Sequence, residues 1–278
     1  MSAPDRIPQV EMALGDKISN DSTAVGRQIA LNFRHLDPLT EADKAHFAAF
    51  ARQHDADIYL QPGGEDSVSG LNHNHVIQYV IDIETENDKQ ARVQHRRLLM
   101  DFLPYHFTQV NFAMNQKMLK QALDWLDLQP HDQVLDLFCG LGNFTLPIAQ
   151  RVRHVVGVEG AKALLDWGKR NAKNNGIDNA GFYQADLTQD TSLMAWRVKY
   201  DYNKVLIDPP RSGALEIMPL IHALSPEKIC YVSCHPATLA RDIDKLVNQY
   251  GYRLLTAGAM DMFTHTAHVE SMALLAKR

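Results

Sequence analysis

The chain has 278 residues, 45% of them apolar and 22% charged, with a net charge of −5 at neutral pH. That length suits one large domain or two modest ones, the composition is that of a globular protein, and the negative balance offers no general attraction to nucleic acid. No apolar run approaches the ~20 residues of a membrane helix, the first five residues lack the basic and apolar regions of a secretion signal, and three cysteines, an odd number, suggest no disulfide framework, so a reduced, cytoplasmic chain is expected.

Up to residue 104 the expected elements are short strands at 10–14, 29–33, 57–60 and 76–81, separated by polar, glycine-rich stretches such as 61–69. One helical segment interrupts them. Thr40 can cap it, Asp43 suits its first turn, and Phe47, Phe50 and Ala51 supply an apolar stripe. This reads as a small α+β unit, and as part of a domain. His73 and His75 could face one way from a strand, but no third ligand is near, so an exposed polar strand is the simpler reading.

From residue 105 the rhythm is strand, turn, helix, repeated. Strands are expected at 134–138, 154–158, 181–184, 204–207 and 229–233, with helices at 116–126, 161–175 and 237–250. Gly176 sits where a C-terminal helix cap belongs. Alternation of this kind implies an α/β fold of Rossmann-like type, a mostly parallel sheet covered by helices on both faces. The last two strands, 253–257 and 269–276, have no helix between them, so the final one should run antiparallel. Trp125, Trp167 and Trp196 read as packing residues on helices.

In open α/β sheets, ligands bind beyond the carboxyl ends of the strands. The first strand ends in Asp136-Leu137-Phe138-Cys139-Gly140-Leu141-Gly142-Asn143, where two glycines permit close approach of a ligand to the backbone. A third glycine, which would complete a dinucleotide fingerprint, is missing. The second strand ends in Glu159, placed to bind ribose hydroxyls; the third in Asp186, near an adenine; the fourth in Asp208-Pro209-Pro210-Arg211. Any one of these carboxylates would serve equally as a helix cap. The ordered set of four suits S-adenosylmethionine, which is cationic at sulfonium and lacks a pyrophosphate.

The fifth strand stops at Ser233-Cys234, and Pro236 fits the first position of the next helix. Cys230 and Cys139 read as buried structural thiols. Cys234 leaves the strand for the ligand-binding edge, where the helix N-terminus should lower its pKa. An antiparallel final strand would start at that same edge and bring Glu270 to Cys234. A thiolate and a carboxylate beside a methyl donor suit methylation at carbon 5 of uracil: the thiolate adds at C6, the enolate so formed attacks the methyl group, and a base removes the C5 proton so that the thiol can leave. Enzymes that methylate exocyclic amines carry an aromatic residue after the two prolines; this chain has Arg211.

The stretches FTQVN (107–111), LDLFCGLGNFTLP (135–147), VVGVEG (155–160), DPPRSGA (208–214), YVSCHPATLARD (231–242) and DMFTHTAHVESMALL (261–275) resemble the RNA 5-methyluridine methyltransferases. RIPQVE (6–11) and GVEG are most similar to the branch acting on 23S ribosomal RNA at uridine 1939. The resemblance covers nearly the whole chain and is strongest from residue 105. It implies Cys234 as nucleophile, Glu270 as the base, and Gln109, Phe138, Asn143, Glu159, Asp186 and Asp208 as S-adenosylmethionine positions, with no metal site. It implies a catalytic domain at 105–278, a partial central, RNA-contacting domain at 1–104, a ribosomal RNA substrate, no membrane, and a monomer. His235 stands where the family commonly has Asn, and its role is open, as are those of His265 and His268. The family's N-terminal β-barrel and four-cysteine iron–sulfur site have no counterpart, so a C-terminal fragment without the cluster is expected. Two rival readings are a transfer-RNA enzyme of the same family and a non-catalytic RNA-binding module that retains a cofactor pocket.

Overall fold

The computed structural model describes residues 4–19, 24–71, 76–87, 92–189 and 191–278. His73 and His75 lie outside the described residues. The chain forms two compact units, one of residues 1–80 with 99–110, the other of residues 81–98 with 111–278.

The first unit contains a sheet of β1 (Gln9–Ile18), β2 (Ala24–Arg34), β3 (Ala56–Gln61) and β4 (Ser69–Gly70), in that order. β2 lies antiparallel to β1 and parallel to β3, the crossover being α1 (Glu41–His54). Thr40 caps α1 as expected, in a reciprocal box: its hydroxyl accepts from the Asp43 N–H and its own N–H donates to the Asp43 carboxylate, both at 3.1 Å. Phe47 and Ala51 pack toward Ile58, Leu60 and Phe33. Phe50 departs from the expected stripe. It is 41% exposed against the His54 ring, because a residue three positions after Phe47 sits about 100° round the helix from Ala51. β5 (Ile77–Asn87) and β6 (Arg92–Phe102) pair with each other. Gly15 is required where β1 meets β5, since a Cβ there would fall 2.5 Å from the Gln78 carbonyl oxygen.

The second unit holds α2 (Phe112–Leu126), β7 (Gln133–Leu137), α3 (Thr145–Ala149), β8 (His154–Glu159), α4 (Lys162–Asn174), β9 (Ala180–Gln184), α5 (Ala195–Lys199), β10 (Lys204–Ile207), α6 (Met218–Leu224), β11 (Lys228–Ser233), α7 (Pro236–Asn248), β12 (Tyr252–Met260) and β13 (Glu270–Lys277). The sheet order is β12-β13-β11-β10-β7-β8-β9. β7 to β11 are parallel, and β13 enters antiparallel between β11 and β12, as expected. Consecutive residues of β10 and β11 are buried, so both faces of the sheet are covered. Gly176 takes the left-handed conformation that ends α4, with φ +65°.

Sheet order positions the site. The chain leaves β7 toward β8 and β9, then returns to the other side of β7 with β10 and β11. Ligand crevices form at such a switch point, here between the turn after β7 and the loop after β10.

Candidate active site

The turn after β7 is bent tightly. Phe138, Gly140 and Gly142 all have positive φ, at +64°, +54° and +98°. For a bulky residue such as Phe138 this conformation is uncommon and costs backbone strain. Gly142 admits no side chain, because a Cβ there would approach Leu146 Cδ1 to 2.4 Å. A Cβ on Gly140 would meet nothing within 4 Å, so this backbone faces open space. Two supports hold the turn. Asn143 and Asn115 exchange amide hydrogen bonds at 3.0 Å each way, and Asn171 Nδ2 donates to the Leu141 carbonyl at 3.3 Å. Cys139 is buried against Gly157, a structural thiol as expected.

The carboxylates at the strand ends differ in environment. Glu159, at the end of β8, accepts from the N–H of Gly140 at 3.1 Å and of Ala161 at 2.8 Å, one bond on each oxygen. Asp186, after β9, is exposed; the Thr188 hydroxyl and N–H donate to it and lower its pKa. Asp136, within β7, is fully buried. The Thr145 hydroxyl donates to one of its oxygens at 2.5 Å, while the other has no partner among the described residues. Burial pushes its pKa up to about 8 against the opposing Thr145 hydrogen bond, with Asp208 and Glu159 adding like charge. Burial also raises Asp208, after β10, to about 7.

Register brings Cys234 and Glu270 together. The last paired rung of β11 and β13 is Ser233 opposite Ser271, so Cys234 and Glu270 are the next residues on either strand. Glu270 is 2% exposed; burial, then the charge of Asp208, raises its pKa to about 8. The expected fall in the thiol pKa does not occur. Burial raises the Cys234 thiol, and the carboxylates of Glu270 and Asp208 raise it further; Arg211 acts in the opposite direction without prevailing. Burial first, then two nearby acids, thus set the direction.

His235 has a local role: its Nδ1 accepts from the Thr238 N–H at 3.3 Å, capping α7, with Pro236 at the first helical position. That bond assigns the ring proton to Nε2. His268 Nδ1 lies 3.4 Å from Arg211 Nη1, and its ring meets Phe263 edge-on. Of the other expected site residues, Gln109 belongs to the first unit; it is buried and its Oε1 has no partner among the described residues. Sequence reasoning missed Asn115. The signal was present, since Asn115 interrupts the apolar stripe of Met118, Leu119 and Ala122 at helical spacing and is buried with them. Trp196 is buried and packs as expected. Among the described residues, no group of three acidic, histidine or cysteine side chains is arranged to hold a metal.

The model of the tRNA (uracil-5-)-methyltransferase family matches residues 76–278. A 23S rRNA (uracil(1939)-C(5))-methyltransferase of Alkalilimnicola ehrlichii is 49% identical over 99% of this chain and 57% of its own length. The protein of the same description from Xanthomonas oryzae pv. oryzae is 48% identical, over 98% and 56%. The chain therefore spans about half the length of the curated relatives it matches. Among solved structures, the tRNA (uracil-54, C5)-methyltransferase of Pyrococcus abyssi, in complex with S-adenosyl-L-homocysteine, superposes with a TM-score of 0.66 at 23% identity, covering 95% of this chain and 59% of that one. TYW2 of P. horikoshii superposes with a TM-score of 0.55 at 16% identity, over 89% and 87%. Likenesses at these identities establish the fold.

Proposed function

The chain belongs to the tRNA (uracil-5-)-methyltransferase family, and on that premise we propose that it transfers a methyl group from S-adenosylmethionine to carbon 5 of a uridine in 23S ribosomal RNA, uridine 1939 by its closeness to that branch. The observation that carries the reading is the register of β11 and β13, which sets Cys234 beside Glu270 at the carboxyl edge of the sheet.

The residues present fit the cofactor. The Gly140 backbone faces open space, and each Glu159 oxygen keeps a lone pair for a ribose hydroxyl after accepting one N–H. Asp186 serves the adenine end, and Phe138, Asn143 and Asp208 complete the set. Gln109 is assigned by resemblance alone. When bound, S-adenosylmethionine supplies an electrophilic methyl group on a cationic sulfonium.

The chain's own residues do the rest. The Cys234 thiolate bonds to C6 of uracil, and the electron pair displaced toward C5 takes the methyl group. Glu270 then removes the C5 proton, the C5–C6 double bond re-forms, and the sulfur leaves C6 as thiolate. Cys234 and Glu270 need not be charged together. While the sulfur is bound to C6 it is a neutral thioether, so no thiolate charge stands beside Glu270 at the step that needs a carboxylate.

In this reading residues 105–278 form the catalytic domain and residues 1–104 contact RNA, in the cytoplasm where ribosomal RNA is made. No helix among the described residues is long and apolar enough to cross a membrane. The test is a trap. A 23S fragment carrying 5-fluorouridine at the target has no C5 proton to lose, so a covalent adduct on Cys234 should accumulate. A transfer RNA carrying the same base should form none; adducts on transfer RNA alone would move the assignment to the other branch, and adducts on neither would sink the proposal.

A further inference from the structure

The loop 208–214 carries two groups whose charge acts on the Cys234 thiol, Asp208 and Arg211. Its backbone is held by α7, the helix that Cys234 precedes. Arg241 Nη2 donates to the Ser212 carbonyl at 3.0 Å, and Asp242 Oδ2 accepts from the Ala214 N–H at 2.7 Å. The Thr238 hydroxyl lies 3.4 Å from the Arg211 carbonyl. Asp242 is fully buried and saturated. It also accepts from the Tyr231 hydroxyl at 2.6 Å and from Arg241 Nε at 2.8 Å. Tyr231 stands on β11, three residues before Cys234. One carboxylate thus ties the strand, the helix and the loop that meet at the thiol. The loop is pressed hard onto this pair: Gly213 has φ +81°, and a Cβ there would lie 2.6 Å from Arg241 Nη2 and 2.7 Å from Asp242 Oδ2.

We infer that Arg241 and Asp242 are positioning residues, a clamp that fixes loop 208–214, and Arg211 with it, at the edge where the parallel pairing of β10 with β11 sets the loop beside Cys234. The inference rests on the proposed reaction only in giving that thiol a catalytic use. The groups whose charge acts on the thiol are Glu270 on β13 and Asp208 and Arg211 on the loop; His235 follows it in sequence and His268 is in contact with Arg211. Both carboxylates work against the thiolate, and Arg211 opposes them. A loop freed from the clamp would lose the fixed placement of that opposing charge.

The test needs neither RNA nor cofactor. Alkylation of Cys234 by iodoacetamide is followed against pH by peptide mass spectrometry, which separates it from the buried Cys139 and Cys230. Parent, Arg241→Ala, Arg211→Ala and the double variant are compared. An opposite charge nearby typically moves a pKa by a unit or more, so each single variant should shift the profile upward by about half a pH unit or more. The double variant should match Arg211→Ala, because the clamp acts through that residue. Arg241→Lys, which loses the forked contact to Asp242, should shift in the same direction by less, and it serves should Arg241→Ala fold poorly. An Arg241→Ala profile that coincides with the parent overturns the inference; so does one whose full shift persists without Arg211. A parent chain that alkylates as expected but forms no adduct with 5-fluorouridine RNA would count against the methyltransferase reading alone.

Discussion

Replacing Asp136 by Asn should make the protein more stable at alkaline pH. The buried carboxyl has its pKa raised from 3.8 to about 8. The folded chain therefore keeps a proton that the unfolded chain releases, and its contribution is complete below pH ~4 and lost as pH rises through about 8. Each pH unit crossed between those two values costs ~1.4 kcal/mol, so the loss is on the order of 2 kcal/mol at pH 5 and ~6 kcal/mol at pH 9. Asn is neutral throughout and its oxygen can still accept from the Thr145 hydroxyl. Its NH2 group would occupy the place of the unpartnered oxygen, an unmet donor costing roughly 1–3 kcal/mol. The two proteins should be near parity at pH 5, and the variant ahead by a few kcal/mol at pH 9. Urea unfolding followed by tryptophan fluorescence reads the right unit, since Trp125, Trp167 and Trp196 all lie within 111–278. A parent more stable than the variant at pH 9 would mean that Asp136 ionises at little cost, and the reasoning from burial would be wrong.

Glu159→Ala removes the acceptor shared by Gly140 and Ala161 and should weaken S-adenosylhomocysteine binding at least tenfold by calorimetry, a loss of ~1.4 kcal/mol or more; unchanged affinity would free Glu159 from the cofactor site. Gly142→Ala forces a Cβ against Leu146 at a φ of +98° and should lower the unfolding midpoint by several degrees, at about 1–3 kcal/mol; an unchanged midpoint would mean that the turn relaxes freely. Asp208→Asn removes a like charge acting on both Cys234 and Glu270, so the Cys234 alkylation profile should move to lower pH. A move to higher pH would reverse the sign assigned to Asp208.

The parallel sheet was legible because its strands are short apolar runs, each followed by a polar turn and a helical pattern. Glu159 and Glu270 followed from that frame by counting strand ends and strand directions. β6 was missed. Its buried residues Leu98, Met100 and Phe102 alternate as a strand should, but a charged, histidine-containing stretch precedes them and hides the period. α3 was missed as well, for at five residues it is too short to show helical periodicity. The thiol illustrates a deeper limit. Its neighbours in sequence, a proline and a helix start, argue for a lowered pKa, whereas burial raises it, and Glu270 and Asp208, brought close by the sheet from 36 and 26 positions away, raise it further. The Asp242 clamp was hidden for the same reason: its partners Tyr231 and Ala214 are neighbours only after folding.

In the proposed reaction Cys234 and Glu270 divide the work between them, and one experiment separates their parts. Glu270→Gln keeps the side chain's size and removes the base. With S-adenosylmethionine and an ordinary uridine-containing 23S fragment, the thiol should add and the methyl group transfer, but the C5 proton should remain and the sulfur stay bonded to C6. Denaturing electrophoresis should then show a protein–RNA band carrying radiolabelled methyl, absent when Cys234 is also replaced by Ala. Release of 5-methyluridine by Glu270→Gln at the parent rate, with no such band, would contradict that division.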